Sequence, residues 1–260
     1  MKYCLSSRVS AEYLKKADEI YFEPRDIAAV PDFIEDYPNK TYIIDVFGLE
    51  DIPWDQIRKW NILSKFKLII KMSDIKLIEK AKEINVKYYL GYPVNTAYEL
   101  TALAKLGVCY ARVGIPLFFQ MEVTKRIGVP LRVVPNVCYT DGLPREDGIH
   151  GQWMRPEAVD LYDDFVETIE FEGVNPTQEE TLYRIYHDQK NWPGELNMII
   201  FDFNHPAINR VILPEISTTR LNCGQRCETE GGCRICDRIM NMATEEFIDK
   251  ARDLLNVNKI

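Results

Sequence analysis

Thr41-Tyr-Ile-Ile-Asp-Val46, Leu68-Ile-Ile-Lys71, Lys87-Tyr-Tyr-Leu90 and Cys109-Tyr-Ala-Arg-Val113 follow one another within residues 41–113. Each is a short run rich in β-branched and aromatic residues, the composition of a strand. Between them, Trp54–Leu63, Ile75–Glu83 and Thr96–Leu106 carry the spacing of amphipathic helices. Asp74 stands in an N-cap position, and Gly107 stands where a helix should end. Strand followed by helix, repeated without a break, predicts a parallel sheet with helices outside it.

The same alternation extends in both directions. Tyr3–Ser6 and Glu19–Glu23 precede it as strands, and Leu131–Val134 and Thr168–Phe171 follow. Ser10–Lys16 and Phe119–Ile127 read as helices, with Ser10 as an N-cap and Gly128 as a stop. Eight such units in a chain of this length is the count of a (β/α)8 barrel, typically about 250 residues. A doubly wound open sheet is the alternative. It loses support because Ser6-Ser-Arg-Val-Ser10, after the first strand, is not a dinucleotide-binding glycine fingerprint. The expected fold class is therefore α/β, a TIM-like (β/α)8 barrel over residues 1–195. Residues 196–260 are expected to form a C-terminal extension packed on that barrel, with an apolar run at Met198–Phe203, a cysteine-rich metal-binding loop and a helix at Thr244–Leu255.

That loop reads Cys223-Gly-Gln-Arg-Cys227-Glu-Thr-Glu-Gly-Gly-Cys233-Arg-Ile-Cys236. Thiolates at such short gaps can converge on one metal centre, and Gly231 and Gly232 allow the backbone reversal between the pairs. The competing readings are two disulfides, or free thiols in a polar loop. Seven cysteines is an odd number, and the opening Met-Lys-Tyr-Cys does not resemble a secretory signal. The expectation is a cytoplasmic, reduced protein in which metal explains clustered thiols better than disulfides do.

The net charge is −8 and the sequence pI about 5.1, so a global basic field for nucleic acid is missing. Nucleic acid could be met only through a local basic pocket. No apolar run approaches the roughly 20 residues of a membrane span, so no membrane partner is expected. The oligomeric state is not specified by the sequence.

Barrel active sites lie at the C-terminal ends of the strands. Those ends supply Glu23, Arg25, Asp45, Lys71, Asn95, Arg112, Asn136, Glu170 and Glu172. In Thr168-Ile-Glu-Phe-Glu-Gly173, alternation puts Glu170 and Glu172 on one face, with Ile169 and Phe171 on the other. The apolar pair should meet the helices, so both carboxylates should point into the barrel mouth, with Arg112 and Lys71 as candidate partners. The same groups could instead form a structural ion-pair layer closing the barrel top; function requires an open cavity beside them. The long segment Asn136–Pro156 offers His150, Trp153 and Arg155 for an anionic or planar ligand, and is otherwise an ordered surface loop. Cys138 ends a strand at the mouth, whereas Cys4 and Cys109 are expected to be buried small hydrophobes. His187 is expected on a helix surface, and His205 in a turn.

Several of these features together resemble the peptidase U32 family. The residues are Arg155-Pro-Glu157 leading to Val166-Glu-Thr-Ile-Glu-Phe-Glu172-Gly173, the helix expected at Glu179–Gln189, and Gly114-Ile-Pro with its helix and Pro130–Asn136. The likeness covers about half the chain. Val174 stands where the family usually has Arg. The resemblance implies a barrel of the collagenase-like or iron–sulfur hydroxylase type, acting on protein, a modified RNA base or a quinone-type precursor. No nucleophile–base pair for peptide hydrolysis is legible. Zinc takes four thiolates tetrahedrally, and a [4Fe–4S] cluster takes four over a broader body. The x₅ gap is short for a zinc ribbon. With the resemblance, this favours [4Fe–4S], with Zn²⁺ as the alternative.

The resulting expectation is an enzyme acting on a small-molecule or modified macromolecular substrate. Glu172 and Glu170 with Arg112 are its candidate catalytic residues, and Asp45, Asn136, His150 and Arg155 its candidate substrate-binding residues. Cys223, Cys227, Cys233 and Cys236 are the candidate metal ligands. The alternative is a non-catalytic binding or assembly module with structural zinc.

Overall fold

The computed structural model describes residues 1–63, 67–72, 74–114, 121–136, 139–140, 143–144, 156 and 159–188. Besides a short antiparallel pair, Tyr139–Thr140 with Leu143–Pro144, eight strands run through them: β1 (Lys2–Ser6), β2 (Glu19–Phe22), β3 (Thr41–Asp45), β4 (Lys67–Met72), β5 (Lys87–Leu90), β6 (Ala111–Arg112), β7 (Leu131–Val133) and β8 (Thr168–Glu170). All pair in parallel, in the order β5-β4-β3-β2-β1-β8-β7-β6. The two ends of this sheet meet. The Cys109 amide donates to the Tyr88 carbonyl at 2.9 Å, and Val94 bridges to Val113 in parallel. The result is a nearly closed TIM-like (β/α)8 barrel.

Helices α1 (Ala11–Lys16), α2 (Val30–Asp36), α3 (Trp54–Leu63), α4 (Ile78–Glu83), α5 (Ala97–Leu106), α6 (Met121–Ile127), α7 (Val159–Tyr162) and α8 (Pro176–Tyr183) connect the strands. The punctuation follows the sequence closely. Thr96 and Glu99 form a reciprocal capping box at the start of α5, and Gly107 ends it at φ 82°. Asp74 caps the 3-10 turn Ile75–Leu77 by accepting from the Lys76 amide, and α4 follows directly. Ser10 sits at the N-cap of α1, but its side chain makes no capping bond; its amide donates to Glu180 at 2.6 Å.

Helices α2 and α7 are not among the expected elements, and two others depart from expectation in length or start. Strand β6 is two residues long, shorter than Cys109–Val113, because Cys109 and Val113 serve the seam with β5 and its loop. Helix α8 starts at Pro176, three residues before the expected Glu179. Asn175 and Gln178 form a capping box there, and proline is well placed in a first turn. A π-helical turn, Arg184–Asp188, continues it.

Two apolar cores flank the sheet. Leu5, Ile20, Phe22, Ile44, Ile70, Val133 and Ile169 point outward into the layer beneath the helices and are fully buried. Each such side chain contributes about 1.5–3 kcal/mol over an exposed one. The inner core is smaller: Cys4, Ile43, Ile69, Tyr89 and Tyr110, with Tyr21 and Cys109 against it. Among the described residues, no helix is long and apolar enough to cross a membrane. The expected extension 196–260 lies outside the described residues.

Candidate functional site

Parallel register sorts the inward-facing residues. Cys4 stands opposite Glu19 and Glu170, and Arg132 stands opposite Arg112 and Thr168, so these side chains share the barrel interior. At its centre Arg132 is fully buried between the rings of Tyr89 and Tyr110, 5.2 and 5.1 Å from their centroids. Its Nη1 donates to Glu19 Oε2 at 2.5 Å, and its Nε to Glu170 Oε2 at 3.0 Å. Nη2 is also 3.0 Å from that Glu170 oxygen, at an angle that makes no hydrogen bond. Tyr110 donates to the other Glu19 oxygen at 3.0 Å. Burying these charges is tolerable because each faces an opposite one; removing a single partner would strand the rest.

Above this floor lies a second ionic layer. Arg112 Nη1 donates to Glu172 Oε1 at 2.8 Å, and Nη2 grips the other oxygen, a bidentate fork. Its Nε is 3.6 Å from Glu170. Asn136 holds the Glu172 backbone from both sides, donating to its carbonyl at 2.8 Å and accepting from its amide at 3.3 Å. Lys71 Nζ lies 3.3 Å from Asp45, and Asp45 also accepts from the Tyr21 hydroxyl. A Cβ added at Gly91 would sit 2.6 Å from Lys71 Cε, so glycine there leaves room for the lysine stem.

Glu170 and Glu172 therefore do point inward, and Ile169 and Phe171 do pack under the helices. Arg112 is the partner of both. Lys71 pairs with Asp45 instead, although its charge also bears on Glu170. Burial alone would raise the Glu170 carboxyl, yet Arg132, Arg112 and Lys71 outweigh it and hold it below the usual range. Glu170 thus orients two arginines and is poorly suited to accepting a proton. Asn136 is committed to the loop backbone, which gives it a positioning role.

The ionic layer leaves the mouth open. A cavity of about 200 Å³ extends over it, lined by the C-terminal ends of β1, β2, β4 and β8. Lys71, Glu170 and Glu172 line it, joined by Arg8, Glu23 and Glu179. Arg8 reaches Asp26 at 2.7 Å and Glu23 at 3.1 Å. Glu179, on α8, is 5% exposed; its Oε1 accepts from the Ser6 amide at 2.6 Å. Burial pushes its carboxyl up to about 7, the Ser6 amide opposes that, and the charges of Glu180 and Glu23 reinforce it.

Arg132, Glu179 and Arg8 were not among the expected site residues. Alternation in Leu131-Arg-Val-Val134 places Arg132 on the inward face, and a helix begun at Pro176 brings Glu179 towards β1. Those were the available signals. Cys4 is buried and Cys109 partly so; burial raises both thiols, that of Cys109 to about 12, so neither supplies a ready thiolate. His187 is exposed, stacked on Tyr183 with centroids 4.9 Å apart. Among the described residues no group of three or more His, Cys, Asp or Glu side chains could hold a metal ion. Cys138, His150, Trp153, Arg155, His205, Cys223, Cys227, Cys233 and Cys236 lie outside the described residues.

No family model and no curated protein matches the chain. Among solved structures, 3-keto-L-gulonate-6-phosphate decarboxylase from Vibrio cholerae is 14% identical with a TM-score of 0.47, covering 72% of this chain and 97% of that one. A cube-shaped protein cage designed by fusing symmetric oligomeric domains is 11% identical with a TM-score of 0.43, covering 73% and 74%. Neither likeness bears on activity.

Proposed function

We propose that this chain is an enzyme of peptidase U32-like type that binds a small or modified substrate in the cavity at the barrel mouth and moves a proton there. Glu179 is the observation that carries this reading. It is buried, held by the Ser6 amide and part of the cavity wall, with a carboxyl near neutrality. Such a group exists in both protonation states at neutral pH, as a general acid or base requires. Glu172 and Arg112 fix the opposite rim, and Lys71 and Arg8 supply positioned cations. Among the described residues, the cavity lining contains no histidine, and its thiol, Cys4, is buried with a raised pKa. That favours proton transfer over acyl-enzyme peptide hydrolysis.

The four-cysteine loop is proposed to hold one metal centre, [4Fe–4S] in preference to Zn²⁺, on the chemistry and spacing of its thiolate donors. A non-catalytic module would also use the buried Arg132 network as a barrel plug, but it would not require an open cavity above it.

The test is turnover by the full chain, purified anaerobically and incubated with a complex metabolite and peptide extract. Wild type should deplete at least one species and produce another, and Glu179→Gln should abolish that conversion without unfolding. An extract left unchanged by wild type, or equally changed by Glu179→Gln, would overturn the reading.

A further inference from the structure

We infer that the barrel-mouth cavity takes a ligand bearing a cationic amine, seated against Glu179 and Glu23, and that anionic ligands are disfavoured there. The inference rests on the proposed site and names its substrate class. It differs from the sequence-based expectation of an anionic or planar ligand held by His150, Trp153 and Arg155.

The first observation is the charge inventory. Arg8 is engaged by Asp26 and Glu23, Arg25 by Glu23, Lys71 by Asp45, Arg112 by Glu170 and Glu172, and Arg132 by Glu19 and Glu170. Among the described residues, five cations thus face six carboxylates. Glu179 adds a seventh, whose bond within the site comes from a backbone amide. An incoming carboxylate or phosphate would have to compete for cations already paired, while facing surplus negative charge. An incoming ammonium would reduce that surplus, and a partly desolvated ion pair of this kind is worth far more than an exposed one.

The second observation is independent and concerns backbone donors. Barrels often receive phosphate on the loops after the last two strands and at the N-terminus of a short helix. At this mouth the protein's own acceptors occupy one donor of the α8 N-terminus and two at the end of β1 and its loop. Asn175 accepts from the Gln178 amide, Glu179 from the Ser6 amide, and Glu180 from the Ser10 amide. Beside these amides the cavity wall presents a carboxylate, Glu179, which is more than nine-tenths buried.

Isothermal titration of the full chain at pH 8 tests this with four probes: 1,4-diaminobutane, 1,5-diaminopentane, glutarate and inorganic phosphate. The amines should bind at least about tenfold tighter than the anions, the scale of one well-placed charge pair. Glu179→Gln and, separately, Glu23→Gln should each weaken amine binding about tenfold while leaving the melting profile cooperative. Tighter binding of either anion, no amine binding, or amine affinity unchanged in both variants would overturn the inference. An anion-selective cavity in a protein that still turns over extract components would leave the enzyme reading standing. Amine binding without turnover would do the reverse.

Discussion

The Ser6 backbone amide donates to Glu179 Oε1 at 2.6 Å, tying the end of the first barrel strand to the helix that follows the last. One bond thus closes the barrel's chain order around the cavity and fixes a carboxyl in its wall. Because the carboxyl is buried, holding it charged costs folding free energy, and this has consequences that can be measured.

Stability should depend on pH through Glu179 with a definite sign. Its folded pKa is raised to about 7 from an ordinary value of 4.5. The folded state therefore holds a proton that the unfolded state has released between those values. The associated stability is present below about pH 4.5 and is lost as pH rises through 7. Relative to Glu179→Gln, wild type should lose up to about 2.5 kcal/mol of unfolding free energy between pH 5 and pH 8. Urea melts of both proteins across that range check this; parallel curves would exclude a raised pKa.

Arg132 should be the most sensitive position of the barrel floor. Arg132→Met leaves Glu19 and Glu170 buried without its charge, and a loss of about 3–5 kcal/mol is expected. Adding Glu19→Gln to the same protein should recover part of that loss, because the stranded charge is removed with its partner. Chemical denaturation of both variants reads the coupling. A single substitution within about 0.5 kcal/mol of wild type, the range of ordinary surface changes, would contradict the buried network.

Gly91 should matter through Lys71. A methyl at Gly91 would meet the lysine stem at 2.6 Å and displace its ammonium from Asp45 and from the Tyr21 ring. In Gly91→Ala, amine-labelling mass spectrometry should show Lys71 becoming more reactive while the protein stays folded. Unchanged labelling would mean that the lysine does not depend on that space.

How much of this was legible in the sequence follows from the kind of signal each feature leaves. The eight strands were readable because each buried run is short, β-branched or aromatic, and separated from the next by a helical pattern. Helix α2 is not among the expected elements: Pro24 and Pro31 interrupt the helical pattern, and in the structure they start a 3-10 turn and α2. Arg132 was hidden inside an apolar run, and its role emerges when parallel register sets it beside Glu19 and Glu170, far away in sequence. Glu179 was missed for a related reason. A three-residue error in the start of α8 turns that side chain from a helix surface to the cavity wall. That Glu172, Glu170 and Arg112 face one another was legible because strand alternation alone specifies the face they share.

The cysteine loop carries a prediction of its own. Cys223→Ser, Cys227→Ser, Cys233→Ser and Cys236→Ser should each release one metal centre from anaerobically purified protein. A brown protein with about four irons per chain is expected for a [4Fe–4S] cluster, whereas zinc, being d¹⁰, leaves the protein colourless. Sulfur–sulfur separations near 2 Å would instead mean disulfides. Visible absorption with elemental analysis separates these outcomes.

The most direct test is the titration of one carboxyl. Carbon-13 NMR on protein labelled at the glutamate side-chain carboxyl, with Glu179 assigned by its disappearance in Glu179→Gln, follows that group from pH 4 to pH 9. A midpoint near 7 is predicted, from burial in the cavity wall against the Ser6 amide. A midpoint in the ordinary glutamate range, about 4.3, would contradict the claim that the barrel mouth is built around a proton-transferring group.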